Sequence, residues 1–220
     1  MQFQSAIGTI TYTDEGTGPP VLFLHALGRS ASDWSTVTSH LAEDHRCIAI
    51  DFPGHGESEH TGNYSFTNMA DSVLDLIAEL DLGRFSIVAH SMGATIAWIV
   101  APDLAARIDA LVVEDTPVPT DRHTYPEAPA QPPQPVDYDW QVRRQVFAEL
   151  NDPDPKWRQN VTGLAVPTLL VTGTADDQEM LETAALLTDA RVVTIPVGHW
   201  IHQEATAEYL DTVRPFLAAN

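Results

Sequence analysis

Short apolar runs separated by amphipathic stretches limit the folds open to this chain. VLFLH (21–25), CIAIDF (47–52), FSIVAH (85–90), DALVVED (109–115), VPTLLVTG (166–173) and ARVVTIP (190–196) each have the length and β-branched content of a strand. TITYT (9–13) alternates as a half-buried strand does. Between the runs the period changes. ASDWSTVTSHLAED suits a helix with Asp33 near its start. Met69, Val73, Leu76, Ile77 and Leu80 share one helical face, with Ser65 or Thr67 available as N-cap. MGATIAWIVA reads as a helix, and Tyr209, Leu210, Val213 and Phe216 mark a last one. Apolar strands alternating with helices define an α/β class: a mainly parallel sheet with helices on both faces.

One interval breaks this rhythm. Nine prolines lie between Pro117 and Pro155, and proline cannot donate to a sheet ladder. Only Val142, Val146, Phe147 and Leu150 there share a helical face. Residues 117–160 are therefore expected to form a surface excursion, a short lid on a single domain whose core is 1–116 and 161–220. The 220 residues suit one domain of this kind.

Charge removes whole classes of partner. Thirty-one acidic against 11 basic residues give a net charge of −20, and Lys156 is the sole lysine. A chain without a basic patch has no means of holding polyphosphate, so nucleic acid is excluded as a partner. The acidity itself fits a well-solvated surface. A single cysteine, Cys47, cannot form an internal disulfide, which fits a reducing compartment. The opening MQFQSAIGTI lacks the pattern of a signal peptide, and no apolar run approaches a membrane span. A cytoplasmic protein with no membrane partner is expected.

The stretch VAHSMGATIA (88–97) carries chemistry. Ser91 ends a strand and a helix starts at once behind it, with small residues, Ala89 and Gly93, two positions to either side. Such a turn raises the serine hydroxyl at the C-terminal edge of a parallel sheet, where these folds bind ligands. The Met92 amide, at a helix N-terminus, is suited to stabilising an oxyanion. A nucleophilic serine needs a base and an orienting carboxylate. TGTADDQ offers Asp176 and Asp177 after a strand, VVEDTP offers Glu114 and Asp115 after the preceding one, and VGHWIHQE offers His199.

These segments resemble the alpha/beta hydrolase fold superfamily. The elbow matches G-x-S-x-G with Ala89 for its first glycine. LFLHALGRSASDW is similar to the family's H-G-x-x-G oxyanion loop, with Ala26 for the glycine after His25. DFPGHGES is similar to its D-x-x-G-x-G-x-S turn. The resemblance implies an eight-stranded sheet, Ser91 as nucleophile, His199 as base, and the amides of Leu27 and Met92 as oxyanion donors. The family's G-x-x-D spacing after Gly173 favours Asp176 as the acid, with Asp177, Asp115 and Glu114 as alternatives. Serine at the elbow argues against the aspartate chemistry of dehalogenases and epoxide hydrolases. The implied activity is cleavage of a small ester through an acyl-enzyme, needing no metal or other cofactor; lactone or C–C bond hydrolysis, or binding without hydrolysis, are the alternatives. His202 is expected to be a surface histidine. His25 and His90 are expected to shape the wall of the site.

Overall fold

The computed structural model describes all residues, 1–220. Its strands are β1 (Gln2–Ser5), β2 (Gly8–Gly16), β3 (Pro20–Leu24), β4 (Arg46–Ile50), β5 (Phe85–His90), β6 (Ile108–Glu114), β7 (Thr168–Thr172) and β8 (Ala190–Thr194). They form one eight-stranded sheet in the order β1-β2-β4-β3-β5-β6-β7-β8. β1 and β2 join antiparallel, and every pair from β4 to β8 is parallel. Seven of these strands coincide with the apolar runs of the sequence. β1 has no such run, and its QFQS buries only Phe3 and Ser5 on alternate positions.

Strand periodicity explains the long apolar runs. In β3, Leu22 and Leu24 point into one core while Val21 and Phe23 point into the other. A short 3-10 turn (Ala31–Trp34) leads into α1 (Ser35–Leu41), which packs with α8 (Thr206–Ala219) on the second core. The first core lies under α2 (Phe66–Glu79), α3 (Met92–Leu104) and α4 (Trp140–Asn151). α2 starts where Ser65 accepts the Asn68 amide at 3.1 Å, and it buries Met69, Val73, Leu76 and Ile77. Each such side chain contributes roughly 1.5–3 kcal/mol on burial.

The excursion holds more regular structure than expected. After α4 comes α5 (Pro155–Val161), capped by Asp154. α4 buries Val142 and Val146 against the first core and is tied to the chain before α2. Gln145 accepts the Tyr64 amide, Glu149 accepts the Phe66 amide, and the Tyr64 hydroxyl donates to Asp139. The remaining elements are α6 (Gln178–Ala184) and α7 (Ile201–Glu204). No helix is long and apolar enough to cross a membrane.

Candidate active site

β5 is buried at all six positions, and the chain leaves it through Ser91 at φ 53°, ψ −118°. A side-chain-bearing residue with such a backbone costs on the order of 1–3 kcal/mol and persists only where its surroundings enforce it. Here they do. Gly93 lies so close to β3 that a Cβ would meet the Leu24 carbonyl oxygen at 2.3 Å, and its amide donates to the His25 carbonyl. Ala89 is in register with Leu24. Small residues at 89 and 93 thus let strand and helix meet at the elbow.

Leu27, Ser91 and Met92 line a single cavity of about 120 Å³. Neither the Leu27 nor the Met92 amide donates to another protein group, so both are available to an oxyanion. The loop carrying Leu27 is held by two buried histidines. His25 donates from Nδ1 to the Ala26 carbonyl (2.8 Å) and accepts the Phe52 amide at Nε2 (3.0 Å). His55 accepts the Gly28 amide at Nε2 (3.0 Å) and donates from Nδ1 to Pro53. Accepting at one nitrogen requires both rings to be neutral, and burial pushes both pKa values down in that direction. Asp51 completes the brace by accepting the Ala31 and Glu57 amides. A Cβ at Gly56 would strike its carboxylate at 2.3 Å.

His199 follows β8, and its Nδ1 lies 2.8 Å from Asp115 Oδ2. The carboxylate facing this histidine is therefore that of Asp115, not Asp176. Asp115 leaves β6 with a left-handed backbone (φ 45°), which turns its side chain toward the histidine loop. The Gly173 amide (2.8 Å) and the Thr172 hydroxyl donate to its other oxygen. Burial works against the charge of Asp115, but His199, Gly173 and Thr172 outweigh it and hold its carboxyl below the usual carboxylate range. The histidine loop approaches β7 closely: a Cβ on Gly173 would meet the Gly198 carbonyl oxygen at 1.8 Å.

The other acidic candidates have different places. Asp176 is exposed and makes no hydrogen bond or ion pair with His199, which pairs with Asp115 instead; its carbonyl accepts from Gln178. Asp177 caps α6 by accepting the Glu179 and Met180 amides. Glu114 is fully buried and accepts from the amide and ring of His202. His202 is therefore not a surface residue; it is 1% exposed. His90 packs beside His199 at a ring separation of 4.5 Å and is fully buried, not among the residues that line the Ser91 cavity. Burial first, then His199 and His202, keep His90 neutral. The Ser91 side chain does not cap α3, and His199 meets Asp115 through Nδ1, leaving Nε2 uncommitted. Asp33, His90 and His202 each have a metal-ligand atom within 4.8 Å of the others'; His202 Nδ1 is bonded to Glu114, while its Nε2 lies 3.5 Å from Asp33 Oδ2.

A family model described as the alpha/beta hydrolase fold matches residues 19–166. The chain belongs to the alpha/beta hydrolase fold family. A serine hydrolase-like protein of Danio rerio is 35% identical over 102 residues, covering 45% of this chain and 31% of that one. An sn-1-specific diacylglycerol lipase of Mus musculus is 24% identical, with coverage of 93% and 82%. Among solved structures, an enol-lactonase from Burkholderia xenovorans superposes with a TM-score of 0.78 at 22% identity, covering 99% of this chain and 100% of that one. The first curated relatives are matched over only 29–31% of their own length. Residues of the 117–160 excursion line the cavity that holds Ser91. Among them are Val118, Tyr125, Val146, Phe147 and Leu150, with His123 and Glu179 also on the wall.

Proposed function

We propose that this protein is a serine hydrolase that cleaves a small ester through an acyl-enzyme. The observation that carries the reading is the pairing of His199 with Asp115, beside a strained Ser91 elbow whose cavity also receives the free Leu27 and Met92 amides. Ser91 Oγ attacks the ester carbonyl as His199 Nε2 takes its proton. Asp115 keeps the His199 proton on Nδ1, so Nε2 faces the serine, and it stabilises the imidazolium. The Leu27 and Met92 amides donate to the oxyanion, an interaction worth ~10²–10³ in rate for each donor. His199 then protonates the leaving alcohol, activates a water, and the acyl group departs as the acid.

The cavity's size supports a short acyl group. Pockets for drug-sized ligands span roughly 300–1,000 Å³, well above the 120 Å³ here. A long chain would leave methylenes outside, each forfeiting ~0.8 kcal/mol of burial. A small lactone, a cyclic ester opened by the same steps, is the second reading. A similar fold in an enol-lactonase supports it, and His123 and Glu179, paired with each other at 2.7 Å on the cavity wall, add polar groups there.

The test is labelling by a fluorophosphonate, with mass spectrometry to locate the adduct, alongside hydrolysis of p-nitrophenyl acetate, butyrate, octanoate and dodecanoate. The reading expects an adduct on Ser91 and higher catalytic efficiency on butyrate than on dodecanoate. Folded protein that takes no label and leaves every ester intact would instead favour binding without hydrolysis.

A further inference from the structure

Behind His199 lies a second carboxylate–histidine pair. Glu114 and Asp115 are adjacent at the end of β6, and each holds one histidine of the same short segment. Asp115 holds His199 at 2.8 Å, while Glu114 accepts the His202 amide (3.1 Å) and its ring Nδ1 (2.9 Å). The chain from 199 to 202 is thus fastened at both ends to two successive residues, the last of β6 and the one that follows it. On the far side of His202, Asp33 Oδ2 lies 3.5 Å from Nε2. Asp33 also accepts from the Gln203 side chain and follows directly on the oxyanion loop, its amide donating to Ser30.

His202 therefore bridges three segments that the chemistry needs in register: the end of β6, the histidine loop and the base of the oxyanion loop. Trp34 stacks on its ring at 4.2 Å. His90 fills the space in front, with centroids 4.5 Å from His199, 4.9 Å from Trp200 and 5.3 Å from His202. Both His90 nitrogens are buried without a hydrogen-bond partner, so the ring acts there as a wedge held by packing. His90 immediately precedes Ser91, so the ring that packs on His202 and His199 is joined directly to the elbow. Glu114 is fully buried and His202 nearly so. Burial favours a neutral His202, but Asp33 and Glu114 prevail and lift its pKa to about 9, so it carries the cation that compensates the two acids.

We infer that Glu114, His202 and Asp33 form a positioning device that sets His199 over Ser91, acting through the histidine loop and the His90 wedge. None of the three touches the reacting atoms. Their work is geometric, and a displacement of about 1 Å at a catalytic group can cost ~10² in rate. The inference rests on the serine-hydrolase reading for its kinetic consequence but not for its geometry.

The experiment compares wild type with Glu114→Gln, His202→Gln and Asp33→Asn in three readouts. These are kcat and KM on p-nitrophenyl butyrate, the pH profile of kcat, and the proton NMR signal of His199 Nδ1–H. Expected for Glu114→Gln and His202→Gln are a fall in kcat of tenfold or more with KM within twofold, a displaced pH profile of kcat, and a broadened Nδ1–H resonance. Asp33→Asn, which keeps Oδ1 as an acceptor for Gln203, is expected to show the same changes at smaller size. It also serves if the two core variants do not fold. Unchanged kcat, profile and resonance in folded variants would overturn the inference. If the wild type hydrolyses no ester, the hydrolase reading fails on its own. The Nδ1–H resonance then still decides: broadening supports the positioning role, and an unaltered signal overturns it.

Discussion

Asp115 meets two demands at once: a charged carboxylate in a half-buried place and a left-handed backbone at φ 45°. Aspartate tolerates that conformation better than most residues, and its short side chain reaches both His199 and the Gly173 amide. The sequence offers Asp115 only as one alternative among four acids. The G-x-x-D spacing favours Asp176, and only the direction in which β6 ends gives the position to Asp115. Asp177 is an aspartate of another kind, capping α6 through the Glu179 and Met180 amides. Asp177→Ala is expected to cost about 1 kcal/mol of stability by denaturant titration, and to leave kcat within twofold. His202 supplies a pH dependence of stability. Its pKa is lifted from the ordinary 6.5 to about 9 in the folded protein by Asp33 and Glu114, against burial. A group raised on folding contributes fully below the unfolded value, so this contribution is whole below about pH 6.5 and is lost as pH rises through about 9. The melting temperature is therefore expected to fall between pH 6.5 and 9.5 more steeply in wild type than in His202→Gln, by calorimetry. Parallel curves would contradict the buried imidazolium.

Among the elements, those fixed by local pattern were legible and those fixed by distant partners were not. Strand β3 and helix α2 follow from runs and periods that a few residues determine, and Ser65 is the cap that the pattern offers. β1 is visible only once β2 pairs with it. The burial of His202 depends on Glu114, 88 residues away, so its own segment, with charges and a tryptophan around it, reads as surface. The elbow was legible because its small residues, Ala89 and Gly93, answer to steric limits within the motif itself. Gly173 answers to a neighbour outside any motif. Its α-hydrogen faces the Gly198 carbonyl where a methyl group has no room. Gly173→Ala is expected to push the histidine loop off β7, lowering kcat by roughly tenfold or more while the protein stays folded. Wild-type turnover in that variant would show that the close approach is not needed.

Across the whole molecule, the sheet order brings the site together. β5, carrying Ser91, lies beside β6, carrying Asp115, and β7 follows with the Thr172–Gly173 turn that braces the same carboxylate. Every parallel strand ends at one edge, so residues far apart in sequence meet there. A net charge of −20 adds self-repulsion to the folded state. Screening relieves it, since the Debye length falls from about 30 Å at 0.01 M salt to about 10 Å at 0.1 M. Stability is thus expected to rise with sodium chloride over that range, and a melting temperature independent of salt would show the charges to be too dispersed to matter.

The most direct test of the account is the rate of p-nitrophenyl butyrate hydrolysis by wild type, Ser91→Ala, Asp115→Asn and Asp176→Asn. The account predicts no turnover above background for Ser91→Ala. It predicts a loss on the order of 10⁴ in kcat for Asp115→Asn, as for a triad acid that fixes the histidine tautomer, and a rate within twofold of wild type for Asp176→Asn. A crippled Asp176→Asn beside an active Asp115→Asn would contradict it.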